Sequence, residues 1–89
     1  MSELGFIEKL LLEGKTDDAI SRLDSYLSLH PSDHAFYLRG NAYRKKGDWQ
    51  GAMNNYLEAM TLNPDSPAGN ALKMLNEILD FYNKDLYNP

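Results

Sequence analysis

The chain contains no cysteine, which rules out disulfide frameworks, thiolate metal sites and cysteine nucleophiles. Histidine is nearly as scarce. The only two, His30 and His34, have the four-residue spacing of a metal pair on a helix, but Pro31 stands between them and prevents a shared regular helix. Cations are also in short supply, with nine Lys and Arg against thirteen Asp and Glu, and the net charge of −4 opposes the broad positive field that nucleic-acid binding needs. No apolar run reaches the length of a membrane span, so membrane insertion is not expected. The opening stretch, Met1 to Gly14, carries Glu3 and Glu8 and has no basic leader, unlike a secretory signal. With Met1 as the natural start, this pattern predicts a cytoplasmic protein. The serines at 2, 21, 25, 28, 32 and 66 stand in no nucleophile motif, and the isolated glycines form no phosphate cradle. No catalytic residues, metal or cofactor are implied.

What the chain does have is an internal echo. Gly14, Ala19, Leu29 and Pro31 recur as Gly47, Ala52, Leu62 and Pro64, each 33 residues later. A short fixed period marks a repeat protein whose units stack on their neighbours. The breaks at Gly14-Lys15-Thr16, His30-Pro31-Ser32, Gly47-Asp48 and Asn63-Pro64-Asp65-Ser66-Pro67 divide the 89 residues into five helix-length stretches. Helical periodicity predicts helices over 3–13, 16–29, 33–46, 49–62 and 67–83, with Thr16, Asp48 and Ser66 as N-caps and Gly14 and Gly47 as left-handed helix ends. The expected class is all-α, with short connections making neighbouring helices antiparallel. The first helix should face inward through Phe6, Ile7 and Leu10, with Leu4 and Leu11 at the edge of that face and Leu12 pointing nearly opposite.

The segment from Asp33 to Pro64 resembles a tetratricopeptide repeat. It reads Phe36, Arg39, Gly40 and Tyr43, then Ala52, Tyr56 and Ala59, then Pro64, departing from the pattern where Arg39 replaces leucine. The stretch from Glu3 to Pro31 matches less closely, with Ile7 in the place of the small glycine and Tyr26 in that of an alanine; a looser or re-angled first pair is expected. The resemblance implies a single domain over 1–89: repeat 1 over about 3–31, repeat 2 over about 33–64, a capping helix over about 67–83 and a short tail at 84–89, stacked as a short right-handed superhelix. In the last helix, Lys73, Asn76, Glu77, Asp80, Asn83 and Lys84 oppose Ala68, Ala71, Leu72, Leu75, Ile78, Leu79 and Tyr82, the two-faced pattern a terminal cap needs.

The resemblance also implies a non-catalytic protein–protein interaction module whose first helices line a concave face. On 33–46 the packing residues leave a separate arc of His34, Tyr37, Asn41, Arg44 and Lys45. Arginine and asparagine suit a peptide carboxylate or backbone, and tyrosine supplies flat contact area. Leu4 and Leu11 are expected to add an apolar half to this groove. Of the family's carboxylate-clamp set, only Asn41 matches in place and type, so a clamp is not expected. The alternative expectation is a self-association unit, or part of a longer helical-repeat scaffold, pairing as a weak homo-oligomer through the Leu4/Leu11/Leu12 edge.

Overall fold

A computed structural model describes the backbone of residues 2–87 and the side chains of residues 2–81. Five helices follow one another: α1 (Glu3–Leu12), α2 (Thr16–Leu29), α3 (Asp33–Lys45), α4 (Trp49–Leu62) and α5 (Ala68–Tyr87), with no strand among the described residues. The last helix runs four residues beyond the expected end at 83, and so takes in much of the expected tail. Lys84 to Tyr87 contains no glycine or proline to stop it; Asn88 and Pro89 lie outside the described residues.

Both repeats turn in the same way. Gly14 and Gly47 have φ of 79° and 80°, the left-handed region that glycine enters without a Cβ penalty. Each closes a helix with the same bond pair: Gly14 N–H to Leu11 O and Lys15 N–H to Leu10 O, then Gly47 N–H to Arg44 O and Asp48 N–H to Tyr43 O. Asp48 and Ser66 cap as expected, accepting from Gly51 N and Ala68 N. Thr16 does not. It is the first residue of α2, and the cap position falls on Lys15, which makes no side-chain cap bond. Ser2 and Ser32, not foreseen, cap α1 and α3 through Gly5 N and Ala35 N.

The core has two parts that meet on α3. Ala35, Leu38 and Ala42 join Ile7, Leu10, Leu11, Ala19 and Leu23 in the first. The second gathers Ala52, Tyr56, Ala59, Ala68 and Leu75, with Phe36, Tyr37 and Tyr43 packed against it. Within repeat 2 the helices approach so closely that a Cβ on Gly40 would fall 2.5 Å from the Tyr56 ring. Thirty-three residues earlier the pair is Ile7 and Leu23, both fully buried. Bulk is exchanged across the interface, a small and a large residue in one repeat and two of middle size in the other, but α1 and α2 come together less closely than α3 and α4, the looser first pair expected where Ile7 replaces glycine.

Phe6, expected to face inward, lies elsewhere, and Arg39 stays partly buried. Phe6 is 37% exposed and sits beneath the Arg22 guanidinium, 4.8 Å from its ring centre. Arg39, in leucine's place, reaches Asp24 of α2 at 2.8 Å and leaves its Nε buried without a partner. Lys46 bonds Asp17 at 2.7 Å, which raises its pKa above the ordinary lysine value, and so ties the end of α3 to the start of α2.

Candidate functional site

With α2 on one side of α3 and α4 on another, the third side of α3 is left for solvent. Tyr37, Asn41 and Arg44 follow it at helical spacing, and all three line two adjoining grooves. One groove, of about 330 Å³, lies toward α1 and is completed by Glu8, Leu12 and Lys45. The other, also about 330 Å³, lies toward α5 and is completed by Asn70, Met74 and Ile78.

The centre of this face is tied into the core. Tyr56, fully buried on α4, donates its hydroxyl to Asn41 Oδ1 at 2.5 Å, which leaves the Asn41 amide N–H groups for the groove. Burial pushes the Tyr56 phenol above its ordinary pKa, and the nearby Arg44 charge offsets part of that rise. Tyr37 is half-buried, its ring centre 6.1 Å from that of Tyr56 and 6.4 Å from that of His34. It packs against both parts of the core, so the ring that the sequence left free on the concave arc also serves the fold. Arg44 is exposed, and among the described residues no carboxylate lies within ion-pair distance of it.

The other expected site residues divide. His34 Nε2 lies 2.9 Å from Glu8 Oε1, and Lys45 Nζ donates to the Leu11 carbonyl at 3.1 Å, so both fasten α3 to α1. Leu11 is buried in the core and shows only an edge to the groove; Leu4 is half-buried against the same core and lines neither groove. Leu12, expected to point away, is 85% exposed and lines the α1 groove with Glu8, one turn before it.

The apolar wall stands on the opposite helix. Met74 and Ile78, 59% and 38% exposed, line the α5 groove, and Phe81, 76% exposed, continues the line with Glu77 beside it. The sequence reading placed Ile78 on the buried arc and did not single out Met74 or Phe81. The internal echo carries the missed signal, since 33 residues separate Asn41 from Met74, Arg44 from Glu77 and Lys45 from Ile78. Among the described residues no three His, Cys, Asp or Glu side chains gather as a metal site, and no helix is long and apolar enough to cross a membrane.

A family model described as TPR repeat matches residues 40–72, from the Gly40 contact through α4 into α5. The chain belongs to the tetratricopeptide repeat family. The solution NMR structure of the Bacteroides fragilis protein BF1650 is similar over nearly the whole chain: 52% identity, 99% of this chain and 91% of that one covered, with a TM-score of 0.88. α1 packs on α2, α3 on α4, and α5 on α4 in turn. The family is in general a protein-interaction module without catalytic function of its own.

Proposed function

We propose that this tetratricopeptide protein is a non-catalytic module that holds a peptide segment of a partner protein on the face lined by α1, α3 and α5. The observation that carries the reading is the placing of Tyr37, Asn41 and Arg44 on the shared wall of two grooves. Three chemistries converge there: an aromatic surface, an amide with unused donors, and a cation with no carboxylate in range among the described residues. His34 and Lys45 flank the site and hold its α1 wall in place, while Leu4 and Leu11 support it from within. A face of two repeats and one further helix is small, so affinity on the order of micromolar is expected.

The test is selection of a displayed random-peptide library against the chain, followed by chemical-shift mapping of the best binder on isotope-labelled protein. Shifts should concentrate at Tyr37, Asn41 and Arg44. Arg44→Ala should weaken binding without lowering the melting temperature, and raised salt should weaken it further, because an exposed charge contact is screened. Shifts confined to α2 and α4 would refute the reading.

A further inference from the structure

We infer that α5 is one wall of this site as well as a cap, and that the ligand is an amphipathic helix of a partner, with carboxylates on its flank toward α3 and cations on its flank toward α5. The inference rests on the inner-face reading and names the chemistry of its ligand.

The 33-residue register separates the duties of α5. Ala35, Leu38 and Ala42, which bury α3 in the first part of the core, correspond to Ala68, Ala71 and Leu75, which join the second part. Phe36, Gly40 and Tyr43, which seat α4, correspond to Gly69, Lys73 and Asn76, and the last two are exposed. That side of α5 is polar, as a cap requires. The third side is not. Where α3 has Asn41 and Lys45, α5 has Met74 and Ile78, and Phe81 follows. A cap has no use for exposed apolar side chains on the very face where the preceding helix keeps polar ones.

The geometry fits a helical occupant. Met74, Ile78 and Phe81 stand four and three residues apart, a stripe along about 10 Å of helix axis. Tyr37 to Arg44 covers seven residues of α3, which the short connections around α4 set parallel to α5; the 33-residue register places that span beside Asn70 to Glu77, so Phe81 extends the apolar wall beyond the end of α3. The trough between them therefore follows the helix axes, and a helix lying in it meets one apolar stripe with another of the same spacing. An extended peptide alternates its side chains and would bring only every second one to that wall. Methionine, unbranched and adaptable, suits such a wall.

Charge sets the flanks. Arg44 stands on the α3 wall and Glu77 on the α5 wall, and neither has an opposite charge in ion-pair range among the described residues. A second copy of the chain, if two α5 stripes paired antiparallel, would bring one Glu77 toward the other, a like-charge contact that a partner helix with cations on that flank avoids.

Two synthetic peptides, blocked at both ends, test this. The first carries leucines at i, i+4 and i+7, glutamates on one flank and lysines on the other; the second has proline for its central leucine. The first should bind with Kd in the tens of micromolar, as befits a small interface, and the second at least about tenfold more weakly. Met74→Glu, at the more exposed of the two positions, should weaken the first at least about tenfold with unchanged melting, and Ile78→Asp should weaken it as much with a lowered melting temperature, since the larger part of that side chain is covered. Arg44→Ala should weaken it about threefold and flatten its salt dependence. Leu12→Asp should bind like the unaltered chain. Equal binding of the proline peptide, unchanged affinity in both α5 variants, or no binding of the first peptide at millimolar concentration would overturn the inference. If Leu12→Asp abolishes binding while the α5 variants keep it, the ligand lies in the α1 groove: the inner-face reading stands and this one falls. Shifts confined to α2 and α4 would end both. A dimer of the free chain, lost on Ile78→Asp, would give the stripe to a second copy and likewise overturn the proposal.

Discussion

Replacing Gly40 with alanine should destabilise the protein, against the usual preference of helices for alanine. In an exposed helix interior the exchange stabilises by about 1 kcal/mol. Here the new Cβ would lie 2.5 and 2.6 Å from two carbons of the Tyr56 ring, where carbon contacts settle near about 3.5–4.0 Å. The ring has to retreat by about 1 Å, yet it is fully buried and its hydroxyl is bonded to Asn41. Overpacking of this kind costs about 1–3 kcal/mol, and a clash this short belongs at the upper end. Set against the propensity gain, a net loss of about 2 kcal/mol remains, or about 10 °C in melting temperature for a domain of this size. Tyr56→Leu alone should cost about 2–4 kcal/mol through the smaller side chain and the lost hydroxyl bond. The two together should cost about 2 kcal/mol less than their sum, because alanine at 40 occupies space that leucine at 56 gives up. Repeat 1 already uses that solution with Ile7 and Leu23. Urea unfolding of the four proteins, followed by helical circular dichroism, measures the cycle. A stabilised Gly40→Ala, or effects that add within about 0.5 kcal/mol, would refute the argument.

Ser66→Ala removes the buried hydroxyl that accepts from Ala68 N and should cost about 1 kcal/mol in the same assay. Leu75→Asp places a charge at a position 1% exposed and should cost about 4 kcal/mol or more, whereas exposed Lys73→Asp should stay within about 0.5 kcal/mol; comparable effects would mean that α5 does not cap the core. Alkaline pH should destabilise the fold. Burial raises the pKa of Tyr56 above 10.0, and the Asp17 bond raises that of Lys46 above 10.5, so the folded state holds both protons more tightly. That stability is present below the ordinary values and is lost as pH climbs through the folded ones. Tyr56→Phe should therefore show a shallower fall in urea midpoint between about pH 9 and pH 11.

Legibility in the sequence followed the physics of each residue. Gly14 and Gly47 could be read because a left-handed turn admits few other residues, and Ala19 and Ala52 because close helix approach needs a small one. Asp48 and Ser66 could be read because a cap is settled within three residues. The candidate face was read only in part. A helical wheel sorts residues into arcs, but α1 packs on both α2 and α3, and the second contact decides which edge of the arc is covered. That is why Leu11 went under, Leu12 came out to the groove and Phe6 was left beneath Arg22. Ile78 failed for a related reason. Apolar character alone does not separate the side of α5 that meets α4 from the side that faces the trough. Lys45 and His34 were placed on the right arc, but their bonds to Leu11 and Glu8 join residues 34 and 26 positions apart and left no local trace.

Because α3 alone, among the described residues, lends side chains to both parts of the core, it is the element whose loss dismantles both. The α1–α2 pair can open while α3 stays on α4, and α5 can lift while α3 stays on α1 and α2, but neither half keeps its packing once α3 departs. Amide hydrogens should report this as a gradient of exchange. The ends of α1 and α5 should exchange through small local openings, and the middle of α3, around Leu38 to Ala42, only when the whole chain unfolds. The slowest amides should thus lie in the helix that also carries Tyr37, Asn41 and Arg44, so the central wall of the proposed binding face is the most persistent part of the molecule and the outer walls, α1 and α5, are the parts free to adjust.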